Sequence, residues 1–315
     1  MSDSILVFTS PEGQAEVMSA YQAVMEEWPV PYEELTIHTS FGETHVIVNG
    51  PQDGPPVVLL HALLATAMSW YRNVETLSQT YRVYTVDIIG EGNKSRPVKP
   101  ITSLDDFLQW FTELIDGLGI KTLYLVGNSY GGFTGAYYAM KLPDRVRKLV
   151  LIGPAATIYA MMPFHLHMFL PKAMYMFFPK LPGIKRVMRW SNHWMYKGLQ
   201  PDPLWGPLFY RLMVYGGLIN QVFPRVYAKE EFARMRSQVL FLFGEKEAIY
   251  NNLKSAVRAA RELSPHAEIE MIPEAHHVTA LAQPDIVNRR LIKFFGPVEQ
   301  DERRSTEDLA ALEIL

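Results

Sequence analysis

Apolar residues near the start of the chain recur at the spacing of one helical face and then change to strand-like runs. Ser10 followed by Pro11 is typical of a helix start, and the helical pattern ends at Pro29. The apolar positions of this helix are Val17, Tyr21, Val24, Met25 and Trp28. Two strand-like runs follow at residues 35–38 and 44–48, separated by a glycine-containing turn. We therefore expect an N-terminal helix followed by an antiparallel hairpin.

Strand-like and helix-like segments alternate over the rest of the chain, with one interruption. Predicted strands cover residues 57–60, 83–86, 123–126, 148–152, 239–243 and 268–272. Predicted helices cover residues 68–78, 104–118, 133–140, 252–263 and 286–295. Such alternation is typical of βαβ units, in which helices bury both faces of parallel strands. The pattern predicts an α/β fold with a mostly parallel central sheet flanked by helices.

The interruption differs from the rest of the chain in composition. Residues 155–201 hold seven methionines, many aromatic residues and six Lys or Arg, with no Asp or Glu. We expect this segment to begin an inserted, mostly helical cap that interrupts a single core. The expected division is a helical extension at residues 1–31, a core at residues 32–154 and 233–296, the cap at residues 155–232 and a tail at residues 297–315. Within the tail, residues 306–312 predict a short capped helix.

Composition narrows the classes of protein that fit this pattern. Hydrophobic residues make up 48% of the 315 residues and charged residues 20%, which is ordinary for a protein with a large core. The net charge of −3 and the pI of about 6.3 indicate no overall positive electrostatic potential that would attract nucleic acid, so we expect no nucleic-acid partner. The chain has no cysteine, which excludes disulfides and thiolate chemistry. The first ten residues show no signal-peptide pattern and no apolar run reaches about 18 residues, so we expect a cytoplasmic protein.

A Gly-x-Ser-x-Gly pattern stands at residues 127–131, with Ser129 at its centre. A serine hydroxyl becomes a nucleophile when the backbone presents it at a sharp turn and a nearby base removes its proton. The two glycines relieve crowding where a strand turns abruptly into a helix. A predicted strand, 123–126, precedes the pattern and a predicted helix, 133–140, follows it. This setting favours a nucleophilic Ser129 over a glycine-rich turn with an incidental serine.

The pattern and its surroundings resemble the α/β-hydrolase superfamily, and the resemblance extends over residues 32–296. In that family the catalytic residues follow one another in the order Ser, acid, His. The acid commonly lies three residues after a glycine that ends the strand following the cap. That position is Glu247 in this chain, where Asp is the commoner residue, and Glu245 is the alternative.

The resemblance also implies a histidine base in the loop after the last strand. This loop commonly reads Pro-x-Ala-Gly-His in the family, and residues 273–277 read Pro-Glu-Ala-His-His. The register makes His277 the base, and His276, which replaces the usual glycine, is the alternative. Glu247 would orient His277 and stabilise its imidazolium form.

Two backbone N–H groups would complete the site as an oxyanion hole. By its position after the nucleophile, Tyr130 supplies one of them. Leu63 is the second, since relatives read His-Gly-x where this chain reads His61-Ala62-Leu63. Ala62 departs from the family pattern, which has glycine at this position. We expect His61 to brace the loop and to have no catalytic role. Residues 87–95 are similar to the family's Asp-x-x-Gly-x-Gly-x-Ser loop, which we interpret as support for the fold.

The complete triad implies a serine hydrolase that cleaves carboxylic esters through an acyl-enzyme intermediate, without cofactor or metal. The chain resembles bacterial carboxylesterases most where Ala248, Ile249 and Tyr250 follow Glu247. The apolar cap favours small-to-medium apolar or aromatic esters as substrates. The residues that we expect to line the substrate pocket are Met161, Phe164, Met168 and Phe169.

Other functions fit the same resemblance. Within enzymes these are lipase, carbon–carbon bond hydrolase, amidase and perhydrolase activities. Outside enzymes, the fold also serves ligand receptors and signalling proteins that keep a triad. A serine nucleophile excludes the branches that use Asp at this position.

Two weaker signals lie in the cap. His165 and His167 have the spacing of metal ligands, but apolar neighbours favour packing or pocket lining, so we expect no metal site. The cap is also basic, which makes weak contact with an anionic membrane surface a second interpretation beside a lid over an apolar pocket. Its basic residues are Lys172, Lys180, Lys185, Arg186, Arg189 and Lys197. The sequence leaves the oligomeric state open.

Overall fold

The structure is a computed structural model that describes residues 5–161, 165–178, 180–217 and 219–297. Within these residues the strands form one sheet with helices on both faces. The α/β architecture predicted from the alternation of segments is confirmed. The helix predicted at residues 306–312 lies outside the described residues.

The sheet is antiparallel at one edge and parallel through the rest. Its strands are β1 Glu33–Thr39, β2 Gly42–Asn49, β3 Pro56–Leu60, β4 Arg82–Val86, β5 Arg96–Pro97, β6 Leu123–Asn128, β7 Val146–Ile152, β8 Gln238–Gly244 and β9 Glu268–Ile272. Their order is β1-β2-β4-β3-β6-β7-β8-β9, and β5 pairs with β2. The predicted β1–β2 hairpin is antiparallel, as is the β2–β4 pair. The short β2–β5 pair is antiparallel too. The pairs among β3, β4, β6, β7, β8 and β9 are parallel, so the carboxyl ends of β3, β6, β7 and β8 meet at one edge.

Helices follow most of the strands. They are α1 Pro11–Glu26, α2 Val74–Leu77, α3 Leu104–Gly117, α4 Tyr130–Lys141, α5 His165–Phe177, α6 Ile184–Trp194, α7 Trp205–Tyr215, α8 Lys229–Phe232, α9 Leu253–Leu263, α10 Thr279–Ala282 and α11 Pro284–Phe295. The helix starts predicted at Ser10 and Asn252 are confirmed. Each of these side chains caps its helix by accepting a hydrogen bond from a backbone N–H of the first turn. In the described part of the chain, no helix is both long and apolar enough to cross a bilayer.

The single helix predicted at residues 68–78 is wrong. The structure has a 3-10 helix at Ala67–Trp70 and a separate α2, with Asn73 between them. The Asn73 side-chain amide donates to Asn288 Oδ1 at 2.7 Å and to the Ala280 carbonyl at 3.3 Å. Asn73 is fully buried, so its polar group needs these distant partners, and the tertiary hydrogen bonds outweigh the helical spacing.

The core occupies both faces of the sheet. In β3, Val57 and Leu59 belong to one apolar cluster, while Val58 and Leu60 belong to the other. This division follows from the two-residue period of a strand. Helices α3, α4 and α9 contribute to the second cluster, and α1, α7 and α11 contribute to the first. A strand that is apolar at every position is therefore explained by burial on two sides.

Helix α1 packs into the molecule and does not stand apart from it. The Tyr21 hydroxyl donates to Asp87 Oδ2 at 3.0 Å, and both groups are buried. The Thr9 N–H donates to the Tyr215 carbonyl at 2.9 Å, beside α7. A Cβ on Gly13 would lie 3.0 Å from the Tyr215 Cβ, which explains a glycine where α1 approaches α7. The N-terminal helix thus joins both the sheet region and the segment between β7 and β8.

Four helices, α5 to α8, lie between β7 and β8 in the described residues. Lys172 on α5 is one of the predicted basic residues of this segment, but its ammonium group faces inward. Its Nζ donates to the carbonyls of Met213 at 2.9 Å and Gly216 at 2.5 Å. These carbonyls end α7, where a cation is favoured. Lys172 therefore links α5 to the end of α7, and it does not belong with the exposed basic residues of this segment.

Candidate active site

Ser129 lies between β6 and α4 in a backbone conformation that non-glycine residues avoid. Its φ is 52° and its ψ is −109°, a combination that costs about 1–3 kcal/mol. A Cβ on Gly127 would lie 2.3 Å from the Gly131 carbonyl oxygen, and one on Gly131 would lie 2.4 Å from that of Leu60. Both glycines of the pattern are therefore required by backbone contacts. This strand-to-helix turn is the one that the sequence pattern predicts.

Two backbone hydrogen bonds fix Ser129 against the end of β7 and the segment that follows it. The Ser129 N–H donates to the Ile152 carbonyl at 2.9 Å, and the Ala155 N–H donates to the Ser129 carbonyl at 3.0 Å. Ser129 is 8% exposed. Because the strained residue is tied on both sides of its Cα, its hydroxyl has a fixed place above the sheet.

Glu247 and His277 form a buried pair. His277 Nδ1 lies 2.8 Å from Glu247 Oε1, and the two side chains are 2% and 0% exposed. Glu247 Oε1 also accepts the N–H groups of Ala248 at 2.7 Å and Ile249 at 3.1 Å. Burial alone would raise the pKa of Glu247, but His277 and these N–H groups outweigh burial and keep the pKa below its ordinary value. Glu247 is therefore an anion that orients the imidazole.

Gly153 connects the serine turn to the Glu–His pair, and sequence reasoning missed it. It has a φ of 47°, and a Cβ there would lie 2.6 Å from Glu247 Oε2 and 3.3 Å from His277 Nδ1. Its neighbour Ile152 accepts the hydrogen bond from Ser129. The structure thus brings Ser129, Glu247 and His277 to one place at the carboxyl edge of the sheet. The sequence feature that could have indicated the role of Gly153 is its position as a glycine directly after a buried strand.

The two alternative residues have other surroundings. Glu245 is exposed, and its Oε2 accepts the Glu274 N–H at 3.3 Å. His276 Nδ1 accepts the Val278 N–H at 3.1 Å, which places the ring proton on Nε2. Burial, with a further contribution from His277, lowers the pKa of His276 to about 4. The structure pairs Glu247 with His277 and leaves both alternatives outside that pair.

The two predicted oxyanion donors lie on adjoining segments. Tyr130 is the first residue of α4, where backbone N–H groups have no partner within the helix. Leu63 lies in a turn that the Ala65 N–H closes by donating to the Ala62 carbonyl at 3.1 Å. A Cβ on Gly131 would lie 2.8 Å from the His61 carbonyl oxygen, so the start of α4 touches the loop that carries this turn.

His61 braces that loop, as the sequence indicates. Its Nδ1 lies 2.8 Å from the Ala62 carbonyl oxygen, and its Nε2 accepts the Ile88 N–H at 2.9 Å. Burial lowers the pKa of His61, so the ring is neutral and its two nitrogens can serve as one donor and one acceptor. His61 thus links the loop after β3 to the loop after β4.

Glu91 lies beside this region, and sequence reasoning gave it no role. Its Oε2 accepts the Leu64 N–H at 2.7 Å, and the residue is fully buried. Burial raises the pKa of Glu91 well above its ordinary value. The pKa of Tyr130 is raised by burial and, after that, by Glu91, so Glu91 is within electrostatic range of both segments that carry the expected donors.

The predicted pocket residues are described only in part. Met161 is half-buried and forms an isolated bridge with Tyr250, three residues after Glu247. Phe164 lies outside the described residues. Met168 and Phe169 lie on α5, and their side chains are also outside the description.

His167, between β7 and β8, packs against aromatic rings, as its apolar neighbours in the sequence indicate. Its ring stacks on Trp194 at 4.7 Å and on Trp190 at 5.5 Å between centroids. Among the described residues, no group of three or more His, Asp or Glu could hold a metal ion. The side chain of His165 is not described.

A strained serine turn on a parallel sheet of this strand order is the arrangement of the α/β-hydrolase class. Comparison with known proteins agrees, since residues 55–193 match the model of the α/β-hydrolase fold family. The uncharacterized carboxylesterase nap of Bacillus subtilis (strain 168) is 34% identical over 286 residues, covering 88% of this chain and 91% of that protein. Carboxylesterase YbfK of the same organism is 31% identical over 307 residues, covering 93% and 98%.

A solved structure shows the same similarity in three dimensions. The crystal structure of naproxen esterase (carboxylesterase NP) from Bacillus subtilis has a TM-score of 0.80 at 31% identity, with 91% of this chain and 99% of that chain covered. The chain belongs to the α/β-hydrolase family and is an esterase-like hydrolase similar to these bacterial carboxylesterases.

Proposed function

We propose that Ser129, His277 and Glu247 are the catalytic triad of this ester hydrolase, with the backbone amides of Tyr130 and Leu63 as its oxyanion hole. The observation that carries the proposal is the 2.8 Å contact between His277 Nδ1 and Glu247 Oε1. Since Nδ1 engages the carboxylate, Nε2 is the ring nitrogen that takes the proton from Ser129.

The reaction follows from these roles. His277 Nε2 accepts the hydroxyl proton as Ser129 Oγ bonds to the ester carbonyl carbon, and the two amides stabilise the negative oxygen. The C–O bond to the alcohol breaks, and His277 returns the proton to the departing alcohol, leaving an acyl group on Ser129. A water molecule then attacks the acyl-enzyme with His277 as base, which releases the carboxylic acid and restores the serine.

We extend the proposal to the substrate. Small-to-medium apolar or aromatic esters fit a segment as rich in methionine and aromatic residues as 155–201, since such side chains adapt to varied apolar ligands. The neighbouring structure named naproxen esterase makes a naproxen ester a useful test substrate. In this proposal residues 155–232 are a cap on a core formed by 32–154 and 233–296.

A p-nitrophenyl ester chain-length series, extended by a naproxen ester, tests the triad and the substrate class together. We expect wild type to prefer short and medium acyl chains, and Ser129→Ala to lower kcat by about 10⁴-fold or more. His276→Ala is the matched control, and it should retain most of the turnover. Equal rates for wild type and Ser129→Ala would overturn the triad. A preference for long chains would overturn only the substrate class.

We also propose that the outer surface formed by α5, α6 and the described residues between them contacts an anionic lipid bilayer. Five large apolar side chains are 45% to 69% exposed there, namely Leu170, Phe177, Phe178, Leu181 and Trp190. Four exposed basic residues accompany them, namely Lys180, Lys185, Arg186 and Arg189. Apolar side chains among basic ones, with no acidic residue between 155 and 201, are typical of interfacial segments. A second copy of the chain would bring like charges together on this surface, which favours the bilayer.

Sedimentation with vesicles tests this contact. Wild type should sediment with vesicles of phosphatidylglycerol and phosphatidylcholine, and less so in high salt. Arg186→Glu with Arg189→Glu should abolish sedimentation. Lys254→Glu with Arg258→Glu makes the same charge change on exposed positions of α9 and should leave it intact. No sedimentation of wild type, or equal loss in both double variants, would overturn the proposal.

A cytoplasmic location and the lack of a nucleic-acid partner also belong to the proposal. The net charge of −3 supports the second of these. Cell fractionation tests the first, with recovery in the soluble cytoplasmic fraction as the expected result.

A further inference from the structure

Glu91 is a buried carboxyl group that the proposed mechanism does not use. Oε2 accepts the Leu64 N–H, while Oε1 has no hydrogen-bond partner among the described residues. An unpaired polar atom in the protein interior is destabilising, so a carboxyl group at this place requires a reason. Burial also raises the pKa of Glu91 well above its ordinary value, which favours the protonated form of the carboxyl group.

Leu64, which Glu91 holds, has an unusual conformation. It is the second central residue of the turn closed between Ala62 and Ala65, and its φ is 56°. A positive φ at this position of a turn usually selects glycine or asparagine. A leucine there needs support from its surroundings, and the 2.7 Å bond to Glu91 fixes the N–H of the central peptide.

The backbone on either side of Glu91 is itself tightly packed. A Cβ on Gly90 would lie 2.2 Å from Asn220 Oδ1, and one on Gly92 would lie 3.1 Å from the Gly216 Cα. The Asn220 side-chain amide donates to the Ile89 carbonyl, directly before Gly90, at 2.7 Å. The segment after α7 thus locks the loop from which the Glu91 side chain extends.

We infer that Glu91 is a positioning residue for the oxyanion hole, acting through the Leu64 amide to hold the turn that carries the Leu63 amide. This inference rests on the proposed function, because the role of Leu63 belongs to that proposal. By engaging the Leu64 N–H, Glu91 leaves the adjacent Leu63 N–H as the donor for the reacting oxygen. The raised pKa of Glu91 suits this place, since a protonated carboxyl group does not oppose the negative charge that develops there.

Three variants of Glu91 separate positioning from a purely structural role. Glu91→Gln keeps an acceptor for the Leu64 N–H at the same reach, so we expect kcat within about twofold of wild type. Glu91→Leu removes the acceptor, and we expect kcat to fall about tenfold or more with KM nearly unchanged. Binding of benzeneboronic acid, which forms a tetrahedral adduct with a nucleophilic serine, should weaken in parallel with kcat. The Glu91→Asn side chain is shorter by one methylene, so we expect its kcat to lie between those of the other two variants. This variant replaces Glu91→Leu in the comparison if Glu91→Leu does not fold.

A remote variant controls for lost stability. Thr44→Val removes a buried acceptor of the Trp110 indole N–H, and it should lower Tm while leaving kcat and boronate binding unchanged. Wild-type kcat in both Glu91→Leu and Glu91→Asn, or an equal loss in Glu91→Gln and Glu91→Leu, would overturn the inference. If Ser129→Ala is inactive in the same assay, such a result refutes the role of Glu91 and leaves the triad standing. If Ser129→Ala is active, the triad itself fails.

Discussion

Two of the non-glycine residues that have a positive φ, Ser129 and Leu64, lie in segments of the proposed site, and each is held by hydrogen bonds from a different part of the chain. Ser129, at a φ of 52°, is tied to Ile152 and Ala155. Leu64, at a φ of 56°, is tied to the Glu91 carboxyl group. Strained residues persist only where their surroundings determine them, and they cluster at functional sites. Both positions should therefore tolerate little change in the groups that hold them.

The choice of the acid is a prediction at this scale. Glu247→Ala should lower kcat by about 10²-fold to 10⁴-fold, because His277 loses the anion that orients it. Glu245→Ala, at an exposed position two residues away, should stay within about twofold of wild type. Steady-state kinetics with a p-nitrophenyl ester measure both. The reverse ranking would move the acid to Glu245.

The raised pKa of Glu91 predicts a pH dependence of stability. The folded protein keeps a proton that the unfolded chain releases above a pKa of 4.5. Stability from this group is therefore fully present below that pKa and falls as pH rises, by at most about 1.4 kcal/mol per pH unit. Glu91→Gln does not titrate, so its Tm relative to wild type should increase as the pH rises above about 5. A Tm difference that stays constant as the pH rises would contradict the raised pKa of Glu91.

At the scale of elements, the carboxyl end of β7 organises the site although it supplies no catalytic side chain. It accepts the backbone of the serine turn through Ile152, and through Gly153 it leaves space for the Glu247–His277 pair. In a parallel sheet, neighbouring strand ends meet at one edge, so a residue at the end of one strand limits what its neighbours can hold.

Gly153→Ala should therefore impair the site sterically. The new Cβ would lie 2.6 Å from Glu247 Oε2, and displacing that carboxylate should lower kcat by about 10²-fold. Gly119→Ala is the matched control, because Gly119 also has a positive φ, of 72°, with no atom within 4 Å of an added Cβ. The control should lose about 1–2 kcal/mol of stability from backbone strain and keep its kcat. Equal kcat values for the two variants would refute the steric role of Gly153.

At the scale of the whole molecule, Asp87 joins three separate parts of the chain. This fully buried carboxylate accepts the Tyr21 hydroxyl of α1, and its Oδ2 lies 3.0 Å from His45 Nδ1 of β2. Its Oδ1 accepts the Ala67 N–H at 2.8 Å. Burial would raise the pKa of Asp87, but His45 and the other donors outweigh it and lower the pKa. The N-terminal helix should therefore unfold together with the sheet.

Removal of one hydroxyl tests this cooperativity. Tyr21→Phe deletes a buried hydrogen bond to a charged group, and it should lower the free energy of unfolding by about 1.5–3 kcal/mol. Tyr32→Phe, at a tyrosine that is 42% exposed, is the control and should change it by less than about 0.5 kcal/mol. Denaturant unfolding followed by circular dichroism and by tryptophan fluorescence should give coincident transitions for both variants. A separate early transition for α1 would contradict the coupling.

The sequence by itself determined the features that depend on local pattern. Helical spacing and short apolar runs placed nearly every strand and most long helices, because burial on one face imposes periodicity and burial on both faces makes a strand apolar throughout. The order along the chain likewise predicted Ser129, Glu247 and His277 as a set, and the structure pairs two of these residues, Glu247 and His277. Their catalytic roles stay a prediction for the variants above to test.

Only the tertiary structure decided which groups from distant segments meet. It selected Glu247 over Glu245 as the partner of His277. It also required the glycine at position 153, because two side chains from the loops after β8 and β9 fill the space beside it. It broke the helix predicted at 68–78 and turned Lys172 inward, since buried polar groups must find partners wherever the fold supplies them. Such pairings join residues far apart in the chain, so they leave no periodic signal in the sequence.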